Sequence, residues 1–148
     1  MTMEWSAELS VGFGEIDDQH REIVRLLAEL DSHIEARDAR GAAAALGALA
    51  SAVIRHFSAE EAMMERWQYP DRQAHKRAHD LFLQDVLALE REEAEDGLTQ
   101  DVVDWAGGRL PEWISFHMLT NDAPLGRFLA ARGMRTPPLA EERKPNTS

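Results

Sequence analysis

His56-Phe57-Ser58-Ala59-Glu60-Glu61, then the break Tyr69-Pro70-Asp71, then His75-Lys76-Arg77-Ala78-His79: this stretch decides the fold. His56 and Glu60 are four residues apart, and so are His75 and His79. On a helix each pair stands on one face, one turn apart. Pro70 disfavours helical geometry at Tyr69, so the chain breaks between the pairs. One pair closes a helix and the other opens the next. A short connection turns the two helices antiparallel and brings both pairs to one level.

Working outward, two further segments join that level. Asp17-Asp18-Gln19-His20 lies near the start of a first helix, and His117-Met118-Leu119-Thr120-Asn121-Asp122 near the end of a fourth. The sequence predicts an irregular arm over 1–16. A first helix follows from Asp17 or Asp18, either of which can cap it, to about Arg37, with Ile23, Leu26, Leu27 and Leu30 on a helical period. Ala39-Arg40-Gly41 is the turn, and an alanine-rich helix covers 42–67. A third covers 71–93, closed by Glu95-Asp96-Gly97, and a fourth runs from Thr99 to about Leu119. Gly107, Gly108 and Pro111 lie inside that fourth helix. Pro111 cannot donate to the Gly107 carbonyl, which predicts a kink, or a break with a new helix from Pro111. A short last helix covers 123–132. The fold class is all-α: an antiparallel up-down-up-down four-helix bundle with an N-terminal arm and a short C-terminal helix. Residues 1–132 form the bundle domain and 133–148, with Pro137, Pro138 and Pro145, read as a flexible tail.

The composition bounds the chemistry. A chain of 148 residues that is 44% hydrophobic suggests one domain with one core. A net charge of −11 argues against nucleic acid or anionic lipid as partner. The absence of cysteine excludes disulfides, thiolate ligands and a cysteine nucleophile. Met1-Thr2-Met3-Glu4-Trp5 has no basic segment followed by an apolar run. No stretch approaches the roughly 20 apolar residues that span a bilayer. The expectation is a cytoplasmic protein without a membrane partner.

In this bundle the candidate metal ligands His20, His56, Glu60, His75, His79, His117 and Asp122 share one end. Asp122 is the awkward member. Five residues of regular helix carry it about 140° off the His117 face. The helix must therefore end or deform between them, which Pro124 favours. Imidazole suits Fe, Zn, Cu and Ni, and oxygen ligands favour harder ions. Five imidazoles with two carboxylates are too many for one ion. Two octahedral ions offer twelve positions; five histidines, two bridging carboxylates and one bridging oxygen fill eleven. One position is left for a small exogenous ligand. The carboxylate-rich ferritin-like plan needs Glu-x-x-His motifs, and no histidine here has a glutamate three residues before it.

Other residues read more plainly. His33 belongs to none of the motifs and is read as a surface residue. Glu61 is off the His56 face and is read as solvated, so that removing it leaves the site intact. Met63, Met64, Trp113, Ile114 and Phe116 are core packing in the first instance. Phe57, Trp113, Ile114 and Phe116 also wall the ligand pocket in this reading. The run from Glu90 to Asp96 is read as a solvated helix end.

The residues resemble the hemerythrin family, specifically its single-domain bacterial members. The matching stretches are Val11-Gly12, Ile16-Asp17-Asp18-Gln19-His20, His56 through Met64, Tyr69-Pro70 with His75 through His79, and Trp113-Ile114-Ser115-Phe116-His117 through Asp122. The likeness covers about 1–130. It implies two non-haem iron ions bridged by an oxo or hydroxo group. It implies that His75, His79 and His117 hold one iron, that His20 and His56 hold the other, and that Glu60 and Asp122 bridge. It implies that the iron with two histidines binds dioxygen. The chain departs from the family at Gly107-Gly108-Pro111, at Leu125 where many relatives carry a tyrosine, and in the tail.

The function expected from these readings is reversible dioxygen binding: storage, transport or delivery to an oxygen-consuming protein partner, with small anions such as azide as alternative ligands. The surround offers no acid to release a reduced product, so the chain is expected not to be an enzyme. Sensing of O2, NO or redox state would need a separate output partner. Peroxidase or NO-reducing activity lacks a flanking acid–base pair. Iron storage is disfavoured by the scarcity of carboxylates.

Overall fold

Ala42, Ala45, Leu46, Leu49 and Val53 recur at helical spacing and are all buried, so the apolar side of the second helix is the natural centre of a bundle. The computed structural model describes residues 3–132 and builds the rest around that helix. The expected tail, 133–148, lies outside the described residues. A single 3-10 turn, Ala7–Leu9, interrupts the arm. The bundle then consists of α1 (Gly14–Glu35), α2 (Ala39–Arg66) and α3 (Arg72–Asp96). Its fourth rod is α4 (Gln100–Asp104), α5 (Leu110–His117) and α6 (Ala123–Ala131). Among the described residues there is no strand. Helix α2 packs on α1 and on α3. Among the described residues, α2 is the one helix long and apolar enough to cross a membrane by length and composition, which the sequence does not lead one to expect; its apolar face is buried inside the bundle.

The connections follow local chemistry. Arg37 takes φ 58 to leave α1, and Asp38 caps α2 by accepting the Gly41 amide at 2.9 Å. Gln68 takes φ 52 ahead of the Tyr69-Pro70 break. Gly97, at φ 76, ends α3 in a conformation that costs a glycine little. Thr99 caps α4 through the Val102 amide and donates its hydroxyl hydrogen to Glu92 at 2.6 Å. With Glu92 so engaged and Glu93 buried, the acidic end of α3 is not the wholly solvated run expected.

Two expectations about helix ends are corrected. Helix α1 begins at Gly14 behind Phe13, and Asp17 caps nothing in it. Asp17 is buried and accepts from the Ser10 hydroxyl at 2.6 Å and the Val11 amide at 2.8 Å, holding the arm against the bundle. The fourth rod neither breaks at Pro111 nor ends near Leu119. It runs on through two π turns, Trp105–Arg109 and Met118–Asp122. Each turn closes with an amide reaching five residues back, Leu110 to Trp105 and Ala123 to Met118. Each is followed directly by a proline in the first turn of the next helix, Pro111 and Pro124. A proline clashes with the carbonyl four residues back in a regular helix. Widening the preceding turn relieves that clash without a break.

Two apolar groups sandwich the level of the histidines. The larger holds Leu27, Leu46, Phe57, Phe82, Leu110, Ile114 and Met118. The smaller caps the end with Val11, Phe13, Ile16, Met64, Tyr69, Leu125 and Leu129. The arm reaches this cap because Gly126 leaves room: a Cβ there would collide with the Val11 carbonyl oxygen.

Candidate metal centre

The five ligand-spaced histidines bring their Nε2 atoms to one buried point. His20 Nε2 faces His56 Nε2 at 3.1 Å, and His79 Nε2 faces His117 Nε2 at 3.2 Å. His20, His56, His75, His79, His117, Glu60 and Asp122 are all buried. The carboxylates divide the histidines into two sets. Asp122 turns Oδ2 to His20 at 2.7 Å and His56 at 3.3 Å. It turns Oδ1 to His75 at 3.0 Å and His117 at 3.1 Å. Glu60 turns Oε1 to His79 at 3.1 Å and His75 at 3.3 Å, and Oε2 to His56 at 3.5 Å. Each carboxylate thus faces both sets with different oxygens. The donor atoms of Glu60, His75, His79, His117 and Asp122 lie within 4.8 Å of one another, as do those of His20, His56, Glu60 and Asp122.

The second π turn makes this possible. It closes five residues per hydrogen bond, so Asp122 returns to the His117 face instead of standing about 140° away. The expected deformation is present; the expected helix end is not. Thr120, inside the turn, donates its hydroxyl hydrogen to the Phe116 carbonyl at 2.6 Å.

The electrostatics describe a site short of positive charge. Burial, with the Asp122 charge beside it, pushes the Glu60 carboxyl well above the usual carboxylate range. Burial acts on Asp122 too, but the imidazole of His117 and hydrogen bonds from His117, His20 and His56 hold it well below that range. Burial, then the neighbouring His75 and His117, push the His79 imidazole down to about 2. A neutral imidazole is the form that ligates a metal. Glu60 Oε2 has no hydrogen-bond partner, although it is buried. Facing imidazole nitrogens and an orphaned carboxylate oxygen are costly without a cation. The donor set therefore fits the metal pair that the spacing implied.

The walls are aromatic. Phe57 stacks on His79 at 3.7 Å between centroids, and Trp113 on His117 at 4.6 Å. Trp113 also stacks on Phe82 at 3.9 Å. A small cavity lies against the cluster, touching His20, His56, His117 and Asp122, and its other walls are Ile23, Val53, Phe57, Phe82, Trp113, Ile114 and Met118. Its volume is about 10 Å³, roughly the room for one water molecule. Of the four residues expected to line the pocket, Phe57, Trp113 and Ile114 do. Phe116 does not: it is 64% exposed and sits on an outer groove with Asp85, Trp105 and Glu112. Residue 116 is adjacent to the candidate ligand His117, and adjacent residues do not share a helix face.

Two residues outside the ligand set touch it. Gln19 Oε1 lies 2.7 Å from His56 Nδ1, and Glu61 Oε2 lies 2.9 Å from His79 Nδ1. The reading of Glu61 as merely solvated is thus corrected. Burial pushes its carboxyl pKa up. His33, as expected, is at the surface, 3.1 Å from Asp38.

Comparison with known proteins agrees with the geometry. Residues 11–129 match the family described as "Hemerythrin HHE cation binding domain". A bacteriohemerythrin of Ralstonia nicotianae is 33% identical over 139 residues, covering 88% of this chain and 91% of that one. A bacteriohemerythrin of Pseudomonas aeruginosa is 31% identical over 119 residues, covering 80% and 76%. A hemerythrin-like protein of Naegleria gruberi is 35% identical over 85 residues, 57% of this chain and 66% of that protein, just under two thirds of its length. A crystal structure of wild-type hemerythrin superposes with a TM-score of 0.77 at 25% identity, covering 86% of this chain and 97% of that one. The buried cluster of histidines and carboxylates therefore has a family: this chain is a helical-bundle, metal-binding member of the hemerythrins.

Proposed function

We propose that the chain binds dioxygen reversibly at a pair of non-haem irons bridged by an oxo or hydroxo group. In this reading His75, His79 and His117 hold one iron and His20 and His56 the other, with Glu60 and Asp122 across both. The iron pair, when bound, supplies an open position and the two electrons that dioxygen uptake draws on. The observation that carries the reading is the apolar one-molecule cavity beside His20 and His56. It touches both histidines of the two-histidine set, where the family resemblance implies the open position, and one of the other set, His117.

The protein's part is to shape and dry that space. Ile23, Val53, Ile114 and Met118 give it no donor or acceptor. Trp113 borders both this cavity and the outer groove, and Phe82 stacks on it. Apart from the candidate ligands His20, His56, His117 and Asp122, no side chain in the wall is an acid poised to protonate a bound molecule, which favours release over reduction. The chain would then store dioxygen, carry it, or deliver it to a protein that consumes it, and the same cavity would admit azide.

Anaerobic reduction, then alternate exposure to air and argon, tests the reading by visible absorption. Reversible gain and loss of a ligand-dependent band is expected. Immediate bleaching, or consumption of reductant with turnover, would contradict it.

A further inference from the structure

The two histidine sets are held from behind by different chemistry. With a metal on each Nε2, each ring would carry its proton on Nδ1. Three of these atoms, on His20, His75 and His117, have no partner. The other two are held, one in each set. His56, from the two-histidine set, donates to the neutral amide oxygen of Gln19 at 2.7 Å. His79, from the three-histidine set, donates to the carboxylate of Glu61 at 2.9 Å. A bond to a carboxylate is charge-assisted and stronger, and it raises the donor strength of the opposite nitrogen. Phe57 stacks on the same His79 ring and fixes its plane.

Glu61 has little else to hold it there. Lys76 Nζ stands 4.0 Å from its other oxygen and bonds Asp80 at 3.1 Å instead. Such an exposed pair contributes little. The orientation of Glu61 is therefore explained by His79.

Resting on the two-iron reading above, we propose that Glu61 is a positioning residue that makes the three-histidine position the tightly held one, while the Gln19-backed position exchanges its metal more readily. Three nitrogens and a carboxylate-backed imidazole oppose two nitrogens and an amide-backed one. The chain would then keep one iron as a fixed anchor and lose the other first.

The test follows iron release from the iron-loaded protein to a bidentate ferrous chelator under anaerobic conditions. The native protein should release its iron in two phases of equal size. Glu61→Ala should quicken the slow phase by about 10- to 100-fold and leave the fast one alone. Glu61→Gln, which keeps a hydrogen-bond acceptor without the charge, should fall between. Gln19→Ala should quicken the fast phase only. One phase from the native protein, a slow phase indifferent to Glu61→Ala, or equal acceleration of both phases would overturn the proposal. Metal analysis separates it from the reading it rests on. A native protein holding fewer than two irons per chain overturns that reading as well. Two irons with a slow phase indifferent to Glu61 overturn this proposal alone. Circular dichroism of Glu61→Gln shows that the fold survives, since the side chain is partly exposed on the outside of α2.

Discussion

Glu60 and Asp122 do what no histidine in the site can: each presents separate oxygens to both histidine sets. Removing Glu60 should therefore cost both metals together. Glu60→Ala should fall from two irons per chain toward none by elemental analysis, and retention of two would refute the bridging role. Ile114 belongs to a different class. It is buried, lies three residues before His117 and lines the cavity. Ile114→Ala should keep its iron while autoxidation and azide binding quicken, at a stability cost of about 2–5 kcal/mol. Stopped-flow azide binding beside thermal unfolding separates the gate from the packing role. Lower stability with unchanged ligand kinetics would leave Ile114 as packing only. His79 makes a pH prediction for the metal-free protein. Its folded pKa, about 2, lies below the ordinary 6.5, so the unfolded chain takes up a proton that the folded chain refuses. Stability is lost as pH falls below 6.5, by up to about 1.4 kcal/mol per pH unit. Glu60, whose pKa is raised, works in the opposite sense over part of that window. Metal-free Glu60→Gln isolates the effect: denaturant unfolding should show the loss below pH 6.5, and a further His79→Gln change should abolish it.

The helices themselves were largely legible in the sequence, since apolar periodicity and turn chemistry gave four rods and their order. Four of the seven clustered side chains, His56, Glu60, His75 and His79, were legible because four-residue spacing is a property of one helix and needs no knowledge of packing, while His20 and His117 followed from the order of the helices. What escaped lies between helices. Nothing local distinguishes Glu61 from a solvated neighbour of Glu60; its role exists only because α3 sets His79 Nδ1 against α2. Asp17 carries the signature of a helix cap, yet the folded arm claims it. The second π turn was visible only as a contradiction, five residues between candidate ligands that had to share a face, and Pro124 is accommodated by widening the turn, so the rod runs on into α6. The arm supplies a prediction here. Gly126 sits where a Cβ would strike the Val11 carbonyl. Gly126→Ala should displace the arm and lower stability by about 1–3 kcal/mol, read as a drop in the thermal midpoint. An unchanged midpoint would mean that the arm adds nothing.

Taken together, the bundle is two apolar groups separated by a polar layer that makes sense only around cations. Membership of the hemerythrins accounts for that layer, and the cavity beside His20 and His56 suggests what it is for. The most direct test is gas titration of the reduced, iron-loaded protein, with uptake of dioxygen measured against iron content and then reversed under argon. The account predicts one dioxygen per two irons, recovered on flushing. Uptake that argon does not reverse, or no uptake by a protein holding two irons, would contradict it.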